Sequence, residues 1–284
     1  EQAVDILGEN GGRARIIAGG TDLMQALRDR MIDAQALVDI TRIEALGRID
    51  VDGDWIQIGA AVTFAMLRDS PIIREHARCL ACAAATVGAA PIQAMATWAG
   101  NIVQAMPAAD GGVAAVALDA QAYVVDAHGA RWVAVEALYK GAKTSVLDPT
   151  QQVVSHLRFA VPRSGSGSAW RRIGRRPALT LPILNCAATL RLNPRGQTIS
   201  EVSLALGPVA ALPFRARDAE RFLIGRALDD SAIGHAAELA QAECHLRSNL
   251  LRASKEYRAA LVPILVRQAL SEARDRAMND HRAS

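Results

Sequence analysis

The stretch Arg15 to Leu27, RIIAGGTDLMQAL, sets two glycines between a short apolar run and a helix-like run. The β-branched pair Ile16–Ile17 favours a strand, and Leu23, Leu27 and Met31 recur at helical spacing. Paired glycines at such a strand-to-helix turn let bare backbone approach a phosphate, with N–H groups pointing at it. Thr21 and Asp22 open the helical run. A short polar side chain there caps exposed N–H groups, so the Asp22 carboxylate is expected to turn inward. The spacing is neither G-x-G-x-x-G nor G-x-x-x-x-G-K-[ST], which excludes a Rossmann fingerprint and a P-loop.

Outward from this turn, the N-terminal EQAVDILGEN reads as the end of an amphipathic helix, with a short preceding segment expected to be missing. RARIIAG and ALVDIT read as strands, and Asp52–Gly53 as the turn of a hairpin. An Ala-rich helix is expected from Ser70 to Val87, with Ser70 as N-cap and Pro71 in its first position. VPRSGSGSAW (161–170) has linker composition and is taken as a domain boundary. Beyond it, NCAATLRL and TISEVSLALG read as strands joined by NPRG. Helices follow over Asp218–Leu228 and Ser254–Ala277, the second kinked or started late by Pro263. The pattern is α+β with mixed sheets in two domains, 1–163 and 168–284.

Composition narrows the function. The 284 residues are 51% hydrophobic and 21% charged with a net charge of +3, a globular chain without the basic field a nucleic-acid partner needs. No apolar run approaches the roughly 20 residues that cross a bilayer. The four cysteines (Cys79, Cys82, Cys186, Cys244) are too scattered for a disulfide framework and fit the cytoplasm. Cys79 and Cys82 share one helical face and read as packing, and the six histidines have no metal spacing. RRIGRR (171–176) reads as a solvated basic face, with a partner contact as the alternative.

A second glycine turn lies in ATWAGNIVQAMPAAD (96–110). Together with AGGTDL (18–23), the run IQIGAAVTFAMLRDSPIIREHARCLACAAATVGA, ALGPVAALPFRARDAERFLIG and LRASKEYRAALVPILVRQAL, it makes the chain resemble a known family. This is the FAD-binding medium subunit of the molybdenum hydroxylases, the xanthine dehydrogenase and carbon monoxide dehydrogenase group. The resemblance implies a vanillyl-alcohol-oxidase (PCMH)-like FAD domain plus a smaller C-terminal α/β domain of the CO-dehydrogenase flavoprotein type. It implies that two loops grip FAD: Ile17, Ala18, Gly19, Gly20, Thr21, Asp22 and Leu23 in the first, Thr97, Trp98, Ala99, Gly100 and Asn101 in the second. Ala109 and Asp110 follow, with Asp110 as a ribose contact; Asp22 would meet its own backbone or a ribose hydroxyl. Trp98 either stacks on an aromatic ring or fills the core.

The resemblance further implies an oxidoreductase subunit without catalytic acid, base or metal ligand of its own. Electrons would pass from a small [2Fe-2S] subunit to FAD here and on to an acceptor. Substrate would be hydroxylated on a large molybdopterin subunit, within a dimer of heterotrimers. A stand-alone flavin oxidoreductase is one alternative, although four Trp, three Tyr and four Phe are few to line a substrate pocket. A scaffold subunit that has lost FAD is the other. Ala99 stands where the family has glycine, and an alanine held at positive φ costs on the order of 1 kcal/mol. PIQAMAT also lacks the Arg and Asn usual before the loop, and RRPALTLPI lacks the usual acidic residue.

Overall fold

The computed structural model describes residues 2–249 and 252–283. The chain opens with α1 (Gln2–Glu9), β1 (Ala14–Ile17), α2 (Leu23–Arg28) and β2 (Ala36–Asp39). β1 and β2 pair in parallel, and Val4 and Leu7 of α1 pack with Ala14 in a small core of their own. The hairpin β3 (Ile49–Asp52) and β4 (Trp55–Gly59) turns through Gly53, at φ +57°. Six short helices follow: α3 (Phe64–Asp69), α4 (Pro71–His76), α5 (Arg78–Thr86), α6 (Ala90–Met95), α7 (Trp98–Val103) and α8 (Asp110–Ala117). Then come β5 (Gln121–Asp126), β6 (Gly129–Ala134), β7 (Tyr139–Gly141), β8 (Thr144–Ser145) and β9 (Val153–Ala160). An antiparallel sheet in the order β3-β4-β9-β5-β6 buries Ile56, Ile58, Leu157 and Phe159 against these helices.

The remainder is β10 (Ser166–Ile173), β11 (Leu184–Leu192), β12 (Ile199–Gly207), β13 (Phe214–Arg215), α9 (Arg217–Leu223), α10 (Asp230–Glu243) and α11 (Lys255–Ala283). Its four-stranded antiparallel sheet is buried on both faces. Leu190, Leu204 and Leu206 join the helical core of α10 and α11, while Trp170, Ala187 and Ala205 join the first core. Ala187 pairs with Ala205 across the strands. These small side chains let α8 (DGGVAAVA), buried at all eight residues, lie close to the sheet.

Several expectations change here. The sheets are not mixed: β1–β2 is parallel and the rest are antiparallel. The Ser70–Val87 helix divides at Ala77 (φ −140°), although Ser70 does cap Ile73 N–H and Pro71 does open α4. Half of the linker stretch is strand. A Cβ on Gly167 would stand 2.1 Å from the Ala273 carbonyl oxygen, so that glycine admits α11 rather than flexing. Met31 falls beyond α2 and is exposed. The helix α10 went unread. No helix among the described residues is long and apolar enough to cross a membrane.

Pro263 neither starts nor breaks α11, which runs through it. Its missing N–H frees the carbonyl four residues back, at Ala259, and the Gln241 side-chain amide of α10 donates to that oxygen at 3.0 Å. Gln241→Leu leaves this carbonyl unpaired and should cost about 1–2 kcal/mol in urea unfolding. In a Pro263→Ala background, where the helix can satisfy the carbonyl itself, the cost should largely vanish.

Candidate functional site

β1 delivers the first glycine turn. Ile17 accepts from Ile40 N–H at 3.1 Å, and the chain then leaves the sheet through Ala18. Among the described residues the N–H groups of Gly19, Gly20, Thr21 and Asp22 have no acceptor. Four consecutive unpaired backbone donors at a turn form an anion-binding concavity. Gly20 sits at φ +66°, a conformation open to glycine. Gly19 has a different constraint. A Cβ there would lie 2.0 Å from the Met95 carbonyl oxygen and 2.9 Å from the Ala96 Cα. The two glycine loops are therefore in direct backbone contact.

The second loop is fixed from below. Phe64 N–H donates to the Ala96 carbonyl at 3.0 Å and Trp98 N–H to the Val62 carbonyl at 3.2 Å. Thr97 caps α7, its Oγ1 accepting from Gly100 N–H at 3.1 Å. Trp98 is fully buried, donates Nε1–H to the Gly111 carbonyl at 2.9 Å and meets Phe159 edge-on. That resolves its two readings in favour of core filling. Ala99 is buried within α7 and is not among the residues at positive φ, so the strain expected there is absent. Asn101 Oδ1 is buried with no partner among the described residues.

Two expected roles are corrected. The Asp22 side chain is exposed and makes no capping bond. Its backbone is helical (φ −97°, ψ −41°) rather than extended, and Met24 N–H is already taken by the Gly20 carbonyl at 2.9 Å. Asp110 is 6% exposed, and both of its carboxylate oxygens are engaged within the protein. Oδ1 accepts from Asn185 Nδ2 at 2.6 Å, and Oδ2 from Arg172 Nε at 3.1 Å and Thr86 Oγ1 at 3.3 Å. Burial pushes its pKa up to about 6 against the pull of Arg172 and these hydrogen bonds. Ala109 is buried just ahead of it.

Sequence reasoning missed Met95, Arg172 and Asn185. The signal for Arg172 was the basic cluster 171–176, read as solvated; its side chain is only 7% exposed. Cys79 is buried, and burial raises its thiol to about 12, in keeping with a packing residue.

Two substitutions test this geometry by thermal melting. Gly19→Ala forces the loops apart and should destabilise by about 2 kcal/mol or more, as overpacking against backbone does. Ala99→Gly should lower stability by roughly 0.5–1 kcal/mol, the cost of glycine inside a helix, because no positive φ awaits relief.

Residues 1–163 match the family described as the FAD binding domain in molybdopterin dehydrogenase, and residues 169–273 the CO dehydrogenase flavoprotein C-terminal domain. The xanthine dehydrogenase FAD-binding subunit of Escherichia coli O157:H7 is 29% identical over 95% of this chain and 92% of its own. The carbon monoxide dehydrogenase medium chain of Afipia carboxidovorans is 31% identical over 98% and 94%. Among solved structures, carbon monoxide dehydrogenase from Hydrogenophaga pseudoflava superposes with a TM-score of 0.89 at 29% identity, covering 97% of this chain and 94% of that one. The chain belongs to the family of FAD-binding subunits of molybdopterin-dependent dehydrogenases.

Proposed function

We propose that this chain is the electron-transfer subunit of a three-part molybdenum hydroxylase, holding FAD between its two glycine loops. The observation that carries the reading is the run of four unpaired N–H groups, Gly19 to Asp22, pressed against the second loop at Met95. A diphosphate fits this donor set, since backbone N–H groups serve it without a basic side chain and glycine leaves the approach open. Thr97, Gly100 and Asn101 would hold the cofactor from the other side. Thr97 keeps the head of α7 ordered, and the buried, unpartnered Asn101 Oδ1 leaves an acceptor for a ligand hydroxyl. Trp98 and Ala99 support the loop from the core. When bound, FAD takes electrons singly or in pairs, which suits a station between one-electron clusters and an external acceptor.

The finer reading follows the relatives. A small [2Fe-2S] subunit would supply the electrons and a large molybdopterin subunit would carry the substrate chemistry, in a dimer of heterotrimers in the cytoplasm. The domain division at 163–168 belongs to the same proposal. The scaffold alternative rested on strain at Ala99 and on the Arg and Asn missing from PIQAMAT; Ala99 is helical without positive φ, which removes the first of these grounds.

The purified chain should take up FAD stoichiometrically and show flavin absorption, whereas Gly20→Val should retain none, because a β-branched residue is strained at φ +66°. A colourless parent that cannot be reconstituted defeats the proposal. For the partners, a tagged chain expressed in its native host should co-purify with iron and molybdenum. Recovery alone, with substrate turnover of its own, would instead favour the stand-alone oxidoreductase.

A further inference from the structure

We propose that Asp110 is a positioning residue. Through Arg172 it fixes residues 174–182 of the C-terminal region against Gly88, at the start of the segment whose helix α6 carries Met95 to the first glycine loop. The inference rests on reading the two loops as the FAD site.

Arg172 is a two-ended strut. Its Nε donates to Asp110 Oδ2, at the head of α8, and its Nη2 donates to the Thr180 carbonyl at 2.5 Å. The next residue back, Leu179, donates its N–H to the Gly88 carbonyl at 2.9 Å, while its own carbonyl accepts from Arg176 Nε at 3.0 Å. Gly88 is seated on α6: a Cβ there would stand 2.8 Å from the Ile92 side chain. The last residue of α6 is Met95, whose carbonyl abuts Gly19. One continuous path of contacts thus joins Asp110 to the unpaired donors of the first loop.

The segment at the end of the strut is under constraint. Leu179 is held at φ +52°, which costs a leucine on the order of 1 kcal/mol and persists only where surrounding bonds enforce it. Leu179 is 58% exposed and Met95 also 58%. The strap at Leu179 and α6 at Met95 thus each hold an apolar side chain at the surface on the same run of contacts as the donor loop.

The strut depends on one charge. The groups that face Asp110 are Arg172 from β10, Asn185 from β11 and Thr86 from α5, and only Arg172 is ionised. With its pKa near 6 against 3.8 for the ordinary carboxyl, Asp110 takes up a proton on folding between these values. Its contribution to global stability is therefore greatest below pH 3.8 and falls as pH rises through 6. The ion pair has the opposite dependence: it is complete above pH 6 and weakens below it.

Amide hydrogen exchange of the full chain, with and without added FAD, tests this. In the parent, protection of Leu179 N–H, corrected for intrinsic rate, should fall between pH 7 and pH 5. Asp110→Asn keeps the shape but loses the charge, and should speed Leu179 exchange at pH 8 by about tenfold or more, the scale of one charge-assisted hydrogen bond. It should also abolish the pH dependence. Arg172→Gln should do the same, and the double variant should add little to either single one. Unchanged Leu179 exchange in Asp110→Asn overturns the proposal. So does an equal rise at Ile58 in β4, which would make the pair a general brace. FAD affinity lost with Leu179 still protected would overturn it in favour of a direct cofactor contact. If the parent binds no FAD, the exchange result stands by itself and only the flavin reading of the loops fails.

Discussion

The backbone of Gly19 lies against the carbonyl of Met95 with no room for a single methyl group between them. Most of what makes the site follows from that contact. It fixes the first loop without using that loop's own donors, so the N–H groups of Gly19 to Asp22 remain free to meet an anion. A loop tied down through those same donors would be just as rigid and useless for binding. The second loop must then be immobile itself. The bonds from Phe64 and Trp98, with the buried Trp98 indole, make it so.

A similar economy of volume joins the two cores. Ala187 and Ala205 on the sheet face, and the glycines and alanines of α8 opposite, allow a helix to lie on a strand pair with mostly small side chains between them. Gly207 shows how tight this is, since a Cβ there would stand 2.6 Å from the Pro107 carbonyl oxygen. Such an interface gains little from large apolar contacts and much from fit. Asp110 falls at its edge and is almost wholly buried, and that is why its carboxylate needs Arg172, Asn185 and Thr86.

The parts legible in the sequence were those fixed by local chemistry. The hairpin at Gly53, the Ser70–Pro71 helix start and the strand pair around NPRG all follow from turn and cap preferences. So does the first glycine turn. The failures share a different cause: a partner distant in sequence sets the outcome. Pro263 reads as a helix breaker until Gln241, on another helix, takes over the carbonyl it frees. Gly167 reads as linker until α11 packs on it. Arg172 reads as solvated until Asp110, distant in the chain, claims its guanidinium. Asp22 and Asp110 were given each other's exposure for this reason; periodicity could not tell which carboxylate the fold would enclose.

Ala99 carries the last step. A glycine is required where φ is positive or where backbone comes too close for a Cβ, and neither condition holds at Ala99, in the first turn of α7. The alanine there costs nothing and improves the helix. The requirement for glycine sits instead at Gly19 and Gly20, one excluded by the Met95 carbonyl and the other by its own φ. A clamp built from backbone donors is thus indifferent to most of its side chains, provided these two positions stay bare.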